Sequence, residues 1–531
     1  MALPMKSRAG RLGGTRRPRS SAAKGRDMDR LREALEAWRR ELGEEHVLAD
    51  EETLARARTA TFATTQGVGA VVRPGNTEEV RACLRIAHET RVPVTPVSGG
   101  RNQGYGSRVP ARSGVLLDLG RMNRVLEFDE ELAYLTVEPG VSFEQAHAFL
   151  EERGSRLQLA TIGGPPQASL IGNALERGDG TGPHGDIFQY VCGLEVVLPT
   201  GECLRTGPGR YPQAQAASVL RWSVGPGLDG LFSQSNLGVV TRMTFWLAPR
   251  AACLRRVSGV LEDPSQLGPV VERLRQLRLE GTLREAFSLW NDYKVMSVLG
   301  QYPWEETRGL TPLPESHRAK LRARLGIAPW HLGFVLEAPS EAQAQAAQER
   351  VQHVLEGTLS GLSCVREDEM EPGALRQVPS ARNLRMMYWR KRSPPPEMPE
   401  PEQDGCGFIW LSCAVPMTGR HVETALAIAE PLPLRFGFEP NLCVLGVSAR
   451  CAYLVVAIIY DREVEGEDAR ALECHHALQQ ALGGAGYYPA RLGIQSPVLP
   501  FEPEDDSPRV LRTLKAALDP HGILAPGRYL P

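Results

Sequence analysis

A chain of 531 residues exceeds what one hydrophobic core organises and implies two or three domains. Its hydrophobic fraction of 42% is that of a folded protein, and a formal net charge of −2 gives no footprint for nucleic acid or another polyanion. The longest apolar run, Tyr453 to Tyr460 (YLVVAIIY), has the length of a buried strand rather than the roughly 18–20 residues of a membrane span, so a soluble, cytoplasmic protein is expected.

Residues 1–30 carry nine Lys/Arg against two Asp and contain no hydrophobic segment, which excludes a secretory signal and reads as a disordered basic tail. Helical periodicity begins near Met28 (MDRLREALEAWRRELG). VGAVVRP reads as a strand, and Asn76/Thr77 with Glu78 and Glu79 predict a capped helix through His88. VPVTPVSGG is a second strand that runs into a glycine-rich loop; GVLLDL and AYLTVEPGV are further strands, followed by the helix SFEQAHAFLEERG. This alternation indicates an α/β arrangement over the first part of the chain. A second glycine-rich tract spans 163–186, then a buried strand (VCGLEVVLP) and a hairpin turn at Thr200-Gly201. Between about 250 and 480 two amphipathic helices, EAQAQAAQERVQHVLEG and ARALECHHALQQALGG, alternate with short strands such as HLGFVLEA. SPPPEMPEPEQDG (393–405) is a loop, and the last helix stops before Pro520.

The ten cysteines stand singly with no C-x-x-C pair, so zinc, iron–sulfur and c-type haem sites lack their ligand spacing and no metal is expected. His475 and His476 lie in an amphipathic helix and read as packing or surface residues. In the loop Ser98-Gly99-Gly100-Arg101-Asn102-Gln103-Gly104-Tyr105-Gly106, glycines following a strand allow positive φ and bring successive N–H groups toward a phosphate. The same composition also suits an ordinary connecting turn. Neither a P-loop nor a G-x-G-x-x-G in a βαβ unit is present.

Taken together, VRPGNTEEV (72–80), GGRNQGYG (99–106), LDLGRMNRV (117–125), SLIGNALERG (169–178), PHGD (183–186), CGLEVVLPTGECLRTG (192–207), LFSQSNLGVVTRMTFWL (231–247), NDYKVMSVLGQYPW (291–304) and LDPHGILAPGR (518–528) resemble the vanillyl-alcohol oxidase/p-cresol methylhydroxylase family of flavoproteins. The resemblance implies an α+β, two-domain FAD-dependent oxidoreductase. Residues 45–250 with 484–531 would form the FAD-binding domain, and 251–483 an antiparallel-sheet-plus-helix cap over the substrate. It places the FAD pyrophosphate on residues 98–106, the flavin along Ser169, Gly172, Asn173 and Glu176, and a cofactor contact at Arg528. His184 replaces an aromatic position and would line the flavin pocket. Tyr105 and Tyr488 match the tyrosines that hold a phenolate. The arginine expected directly after the second tyrosine is Pro489 instead; Arg491, two residues on, either takes over that charge or is structural.

The acid position near flavin N5 falls on Gly164, which leaves Asp179 either as a base or as a loop cap. Phe408 and Arg101 stand at the positions of covalent flavin attachment, so noncovalent FAD is expected, with Cys406 as the alternative attachment point. The implied activity is hydride transfer from a benzylic carbon of an aromatic, phenolic small molecule to flavin N5, with molecular oxygen as acceptor. An arginine displaced toward the pocket suits a substrate carboxylate, and thereby oxidative decarboxylation to an alkene. A dehydrogenase serving a separate cytochrome or quinone, and a flavin-binding scaffold without turnover, are the alternatives. Family members also commonly form homo-oligomers.

Overall fold

The computed structural model describes residues 21–371, 375–496 and 505–529. A helix spans Ser21–Leu42 and so begins inside the stretch read as a tail; residues 1–20 lie outside the described residues. It is fixed where Trp38, fully buried, donates through Nε1 to the carbonyl of Cys83 at 3.1 Å. The helix it packs on, Thr77–Thr90, starts as its sequence requires: Asn76 Oδ1 accepts from the N–H of Glu79, and the Glu79 carboxylate accepts in return from the N–H of Gly75.

The first strands are β1 (Val47–Leu48), β2 (Val68–Val72), β3 (Val94–Val97) and β4 (Gly114–Asp118), in the order β1-β2-β4-β3. β2 and β3 run parallel to β4, while β1 is antiparallel at the edge. Next come β5 (Val125–Asp129), β6 (Tyr134–Val137), β7 (Leu157–Gln158), β8 (Val191–Val197), β9 (Cys203–Arg205), β10 (Val239–Trp246) and β11 (Ala248–Pro249). Five of these form an antiparallel sheet, β5-β6-β10-β8-β9, and β7 pairs with β11. The expected alternation is thus parallel only in its first part; beyond β4 hairpin pairing takes over, which makes the class α+β.

The third sheet contains β12 (Cys253–Leu261), β13 (Phe287–Asn291), β14 (Trp330–Ala338), β15 (Ser360–Arg366), β16 (Cys406–Pro416), β17 (Asn441–Gly446) and β18 (Cys451–Asp461). They are antiparallel throughout, in the order β15-β12-β14-β13-β17-β18-β16. Helices Leu267–Leu279, Glu341–Leu355, Gly419–Ala429 and Glu467–Gly484 cover one face. Leu289, Val444, Val456 and Leu411 point into that core, each burial contributing about 1.5–3 kcal/mol. Because side chains alternate along a strand, the residues between them point the other way. Trp290, Cys443, Val455 and Ser412 stand opposite one another in register across β13, β17, β18 and β16. They form part of a wall facing the first domain.

The chain then returns to that domain. Leu524 bridges to Val94 beside β3, and the Lys515 ammonium, at the end of the helix Ser507–Leu518, binds Asp519 at 2.6 Å and the carbonyls of Asn236 and Leu524. Among the described residues no helix is long and apolar enough to cross a membrane.

Candidate active site

The wall of the seven-stranded sheet and the glycine-rich loops of the first domain enclose a cavity of about 570 Å³, within the range of small-molecule and cofactor sites. From the first loop Ser98, Gly99, Gly100, Arg101, Asn102, Gln103 and Tyr105 line it. Gly104 and Gly106 stand behind that surface. At Gly104, φ is +75° and a Cβ would lie 2.5 Å from the Trp410 ring, so a side chain there would displace the cavity wall. At Gly99 a Cβ would approach the Gln167 carbonyl oxygen at 3.0 Å, where the two glycine-rich tracts touch. Gly106 makes the corresponding approach to Ile494. Arg101 reaches the cavity and pairs with Glu400 at 3.5 Å.

The second tract supplies Ser169, Gly172, Asn173 and Glu176. Ser169 Oγ accepts from the N–H of Gly172 at 2.9 Å and donates to the Pro139 carbonyl, which caps the short helix Leu170–Leu175. Asn173 Oδ1 and Gln103 Oε1 are buried acceptors with no partner among the described residues. A ligand with N–H and O–H donors satisfies them, and the hydroxyls and ring N–H of FAD fit. Glu176 gathers cations: Arg528 approaches its carboxylate at 2.8 Å and Arg491 at 3.4 Å, and the Tyr529 hydroxyl also donates to it. Burial pushes the Glu176 pKa up, but the two guanidiniums outweigh burial and hold it below the ordinary value.

Arg491 faces the cavity despite its two-residue offset. It donates to Asn102 Oδ1 at 2.6 Å, and its guanidinium lies 4.4 Å from the centroid of the Tyr105 ring. Burial pushes the Tyr105 hydroxyl up to about 12, with Arg491 opposing, so it is a neutral donor near pH 7. Asp179 also lines the cavity. Burial, reinforced by the charge of Asp186 and opposed by Arg491, pushes its carboxyl up to about 7. It accepts no hydrogen bond from its own loop among the described residues, so its geometry is not that of a cap.

Three expected positions lie elsewhere. Tyr488 is half exposed and rests against Gly483, outside the cavity. Its backbone runs beside β16, with its carbonyl accepting from Ala414 and the Ala490 N–H donating to Ser412, and the side-chain alternation of that pairing turns the ring away from Tyr105. The second phenol contact is therefore absent from this position. His184 stacks on Tyr190 at 3.7 Å with its Nδ1 3.1 Å from the Trp246 carbonyl, likewise outside the cavity. Cys406 is buried at the start of β16, opposite Asp461, and does not reach the cavity as an attachment point would have to.

Sequence reasoning missed the cap side of the cavity, above all Lys294. Asn291 N-caps the helix Asp292–Leu299 and its Oδ1 accepts from the Lys294 N–H, which places the lysine in the first turn beside Trp290. The side chain is 6% exposed and lines the cavity. Its Nζ lies 5.1 Å from the Trp290 centroid and 5.2 Å from that of Trp410. Among the described residues no carboxylate pairs with it and it donates no hydrogen bond. Burial lowers its pKa below the ordinary lysine value, with Cys443 opposing. Desolvating an ammonium costs several kcal/mol, and each aromatic face returns about 0.5–2 kcal/mol. A lysine in the first turn of a helix is ordinarily solvated, and nothing in NDYK distinguishes this one.

Residues 68–207 match the model of the FAD binding domain family. The chain is 46% identical to the 1'-carboxy-chondrochloren decarboxylase of Chondromyces crocatus, over 94% of this chain and 97% of that protein. It is 28% identical to the 4-cresol dehydrogenase (hydroxylating) flavoprotein subunit of Pseudomonas putida, over 95% and 96%. Its fold matches the crystal structure of p-cresol methylhydroxylase with substrate bound at a TM-score of 0.84 and 26% identity, over 94% and 97%. With cofactor loops, buried acceptors and full-length kinship in agreement, the chain belongs to the vanillyl-alcohol oxidase/p-cresol methylhydroxylase family of FAD-dependent oxidoreductases.

Proposed function

We propose that this oxidoreductase removes hydride from the benzylic carbon of a phenolic small molecule, and that a β-aryl carboxylic acid loses CO2 in the same turnover to give an alkene. The observation that carries the reading is the Tyr105 ring under the Arg491 guanidinium, in a cavity walled by Trp290 and Trp410. That arrangement offers a polar end for a phenol oxygen and aromatic surface for its ring. The decarboxylase from Chondromyces crocatus, whose name specifies a carboxylated substrate, supports the second half of the reading.

Bound FAD supplies the two-electron acceptor for the hydride. Asp179 in its ionised form takes the phenol proton, and Tyr105 and Arg491 stabilise the oxygen as charge shifts onto it. Val298, Met386, Met387 and Leu445 give the cap side an apolar lining, which disfavours water at the oxidised carbon. The electron deficit there is then met from within the substrate: the Cα–carboxylate bond breaks, its electron pair becomes the new double bond, and CO2 departs. Asp179 returns the proton to the phenol oxygen; the carboxylate anion minus hydride and CO2 then leaves a neutral alkene, so atoms and charge balance. Molecular oxygen is the proposed final acceptor, detectable as peroxide; a cytochrome or quinone acceptor would leave peroxide absent. FAD is held noncovalently in this reading, so acid should release it from the protein.

Anaerobic mixing with para-hydroxyphenylpropanoate is the test. Bleaching of the visible flavin band with equimolar CO2 and para-vinylphenol is expected. Hydroxylated or ketone products without CO2 overturn decarboxylation, and failure of any para-alkylphenol to bleach the flavin overturns phenol oxidation itself.

A further inference from the structure

Among the described residues Arg101, Lys294, Arg491 and Arg528 are the cations that line the cavity, and Arg101 and Arg528 are paired with Glu400 and Glu176. Arg491 arrives from beside β16 and is already engaged by Glu176, Asn102 and the face of Tyr105. Lys294 arrives from the β13 side, is at least nine-tenths buried, and has no anion among the described residues. Its surroundings are the rings of Trp290 and Trp410 and the thiol of Cys443, which burial pushes up to about 11 and so keeps neutral near pH 7. Among the described residues no group supplies the charge that would compensate a buried ammonium, and the cavity that Lys294 lines is open to a counter-ion.

We propose that Lys294 is the carboxylate anchor of the substrate site: its ammonium binds the carboxylate of an aryl carboxylic acid while Tyr105 and Arg491 hold the phenol oxygen. The assignment rests on the reading of the substrate as a carboxylated phenol and moves the carboxylate from Arg491, whose charge is shared with Glu176, to the lysine. The partners suit the chemistry. A Lys ammonium is a point charge on a flexible stem, able to follow a carboxylate and to release it as neutral CO2. The flanking indole faces favour the cation without competing for the anion. Lys294 is thus a specificity-determining residue that distinguishes an acid from the matching neutral phenol.

Holoenzyme variants Lys294→Met, Lys294→Gln and Lys294→Arg test this, with para-hydroxyphenylpropanoate and para-ethylphenol titrated by perturbation of the flavin spectrum. Both neutral variants should raise the dissociation constant of the propanoate about 30-fold or more. That of para-ethylphenol should stay within about threefold, and the arginine variant should recover most of the propanoate affinity. Equal losses for both ligands would mean that the lysine only shapes the wall, and unchanged propanoate affinity would also overturn the anchor. Should either neutral variant fail to retain flavin, the other and the arginine variant still decide between these outcomes. Propanoate that binds through Lys294 but releases no CO2 refutes decarboxylation and leaves the anchor standing. Propanoate decarboxylated at wild-type affinity by Lys294→Met does the reverse.

Discussion

Asp179 occupies the cavity wall with a carboxyl that burial and the neighbouring Asp186 push up to about 7, so its protonation changes near neutral pH. In the proposed mechanism the base is the ionised form, which accumulates as pH rises through about 7; flavin reduction by a phenolic substrate should rise over the same interval. Tyr105, raised to about 12, stays protonated throughout and adds no inflection there. Asp179→Asn should remove this limb and slow reduction by a factor on the order of 10²–10⁴, read by anaerobic stopped-flow across that pH range. An unchanged profile in the variant would assign the base elsewhere. At this scale the sequence was legible where a residue type is unusual for its setting. Asp179 stands out in a glycine-rich tract, and Arg491 is the nearest replacement for a missing charge. Tyr488 misled because its neighbour relations depend on pairing with a distant strand, and Lys294 stayed hidden because its burial is created by Trp290 and Trp410, which belong to different strands.

The helix Asp292–Leu299 illustrates how an element is positioned for chemistry. Asn291 caps it and at the same time ties it to β17, with Oδ1 also accepting from the Leu442 N–H and Nδ2 donating to the Pro440 carbonyl. Asn291→Ala removes a cap and strands two buried backbone groups, so a loss of about 2–4 kcal/mol is expected. Denaturant unfolding of the holoprotein measures it, and a change under about 0.5 kcal/mol would show that the cap is dispensable. The glycine-rich loop obeys a different constraint. Its composition announced a loop with positive φ, but not that Gly104 would face the Trp410 ring instead of a ligand. That division follows from β16 passing behind the loop, a long-range contact that composition does not encode.

Across the whole molecule, the two-domain organisation was legible through the family resemblance of the blocks between 72–80 and 518–528, beside a change in the character of strands and helices near residue 250. The order β15-β12-β14-β13-β17-β18-β16 was not, since antiparallel order is set by which edges meet after long connections rather than by local pattern. The return of the C-terminal strip is held by Asp519, which pairs with Lys515 and accepts from the N–H groups of Ile523 and Leu524. Asp519→Ala leaves the Lys515 ammonium buried without its counter-charge, a cost of about 3–5 kcal/mol, and frees the segment that delivers Arg528 to Glu176. The purified variant should carry less FAD per chain than wild type, measured by flavin absorbance against protein; full occupancy would separate the strip from cofactor retention. The alternation along β13, β17, β18 and β16 also bears on how such a protein diversifies. Residues that line the cavity and residues that hold the fold are interleaved on the same four strands, one facing each way. Single replacements at Trp290, Cys443, Val455 or Ser412 should therefore reshape the cavity while the helix-covered side keeps its packing, whereas one inserted residue would exchange the two roles along the whole strand. Descent within such a lineage should be rich in substitutions on these strands and nearly devoid of length changes.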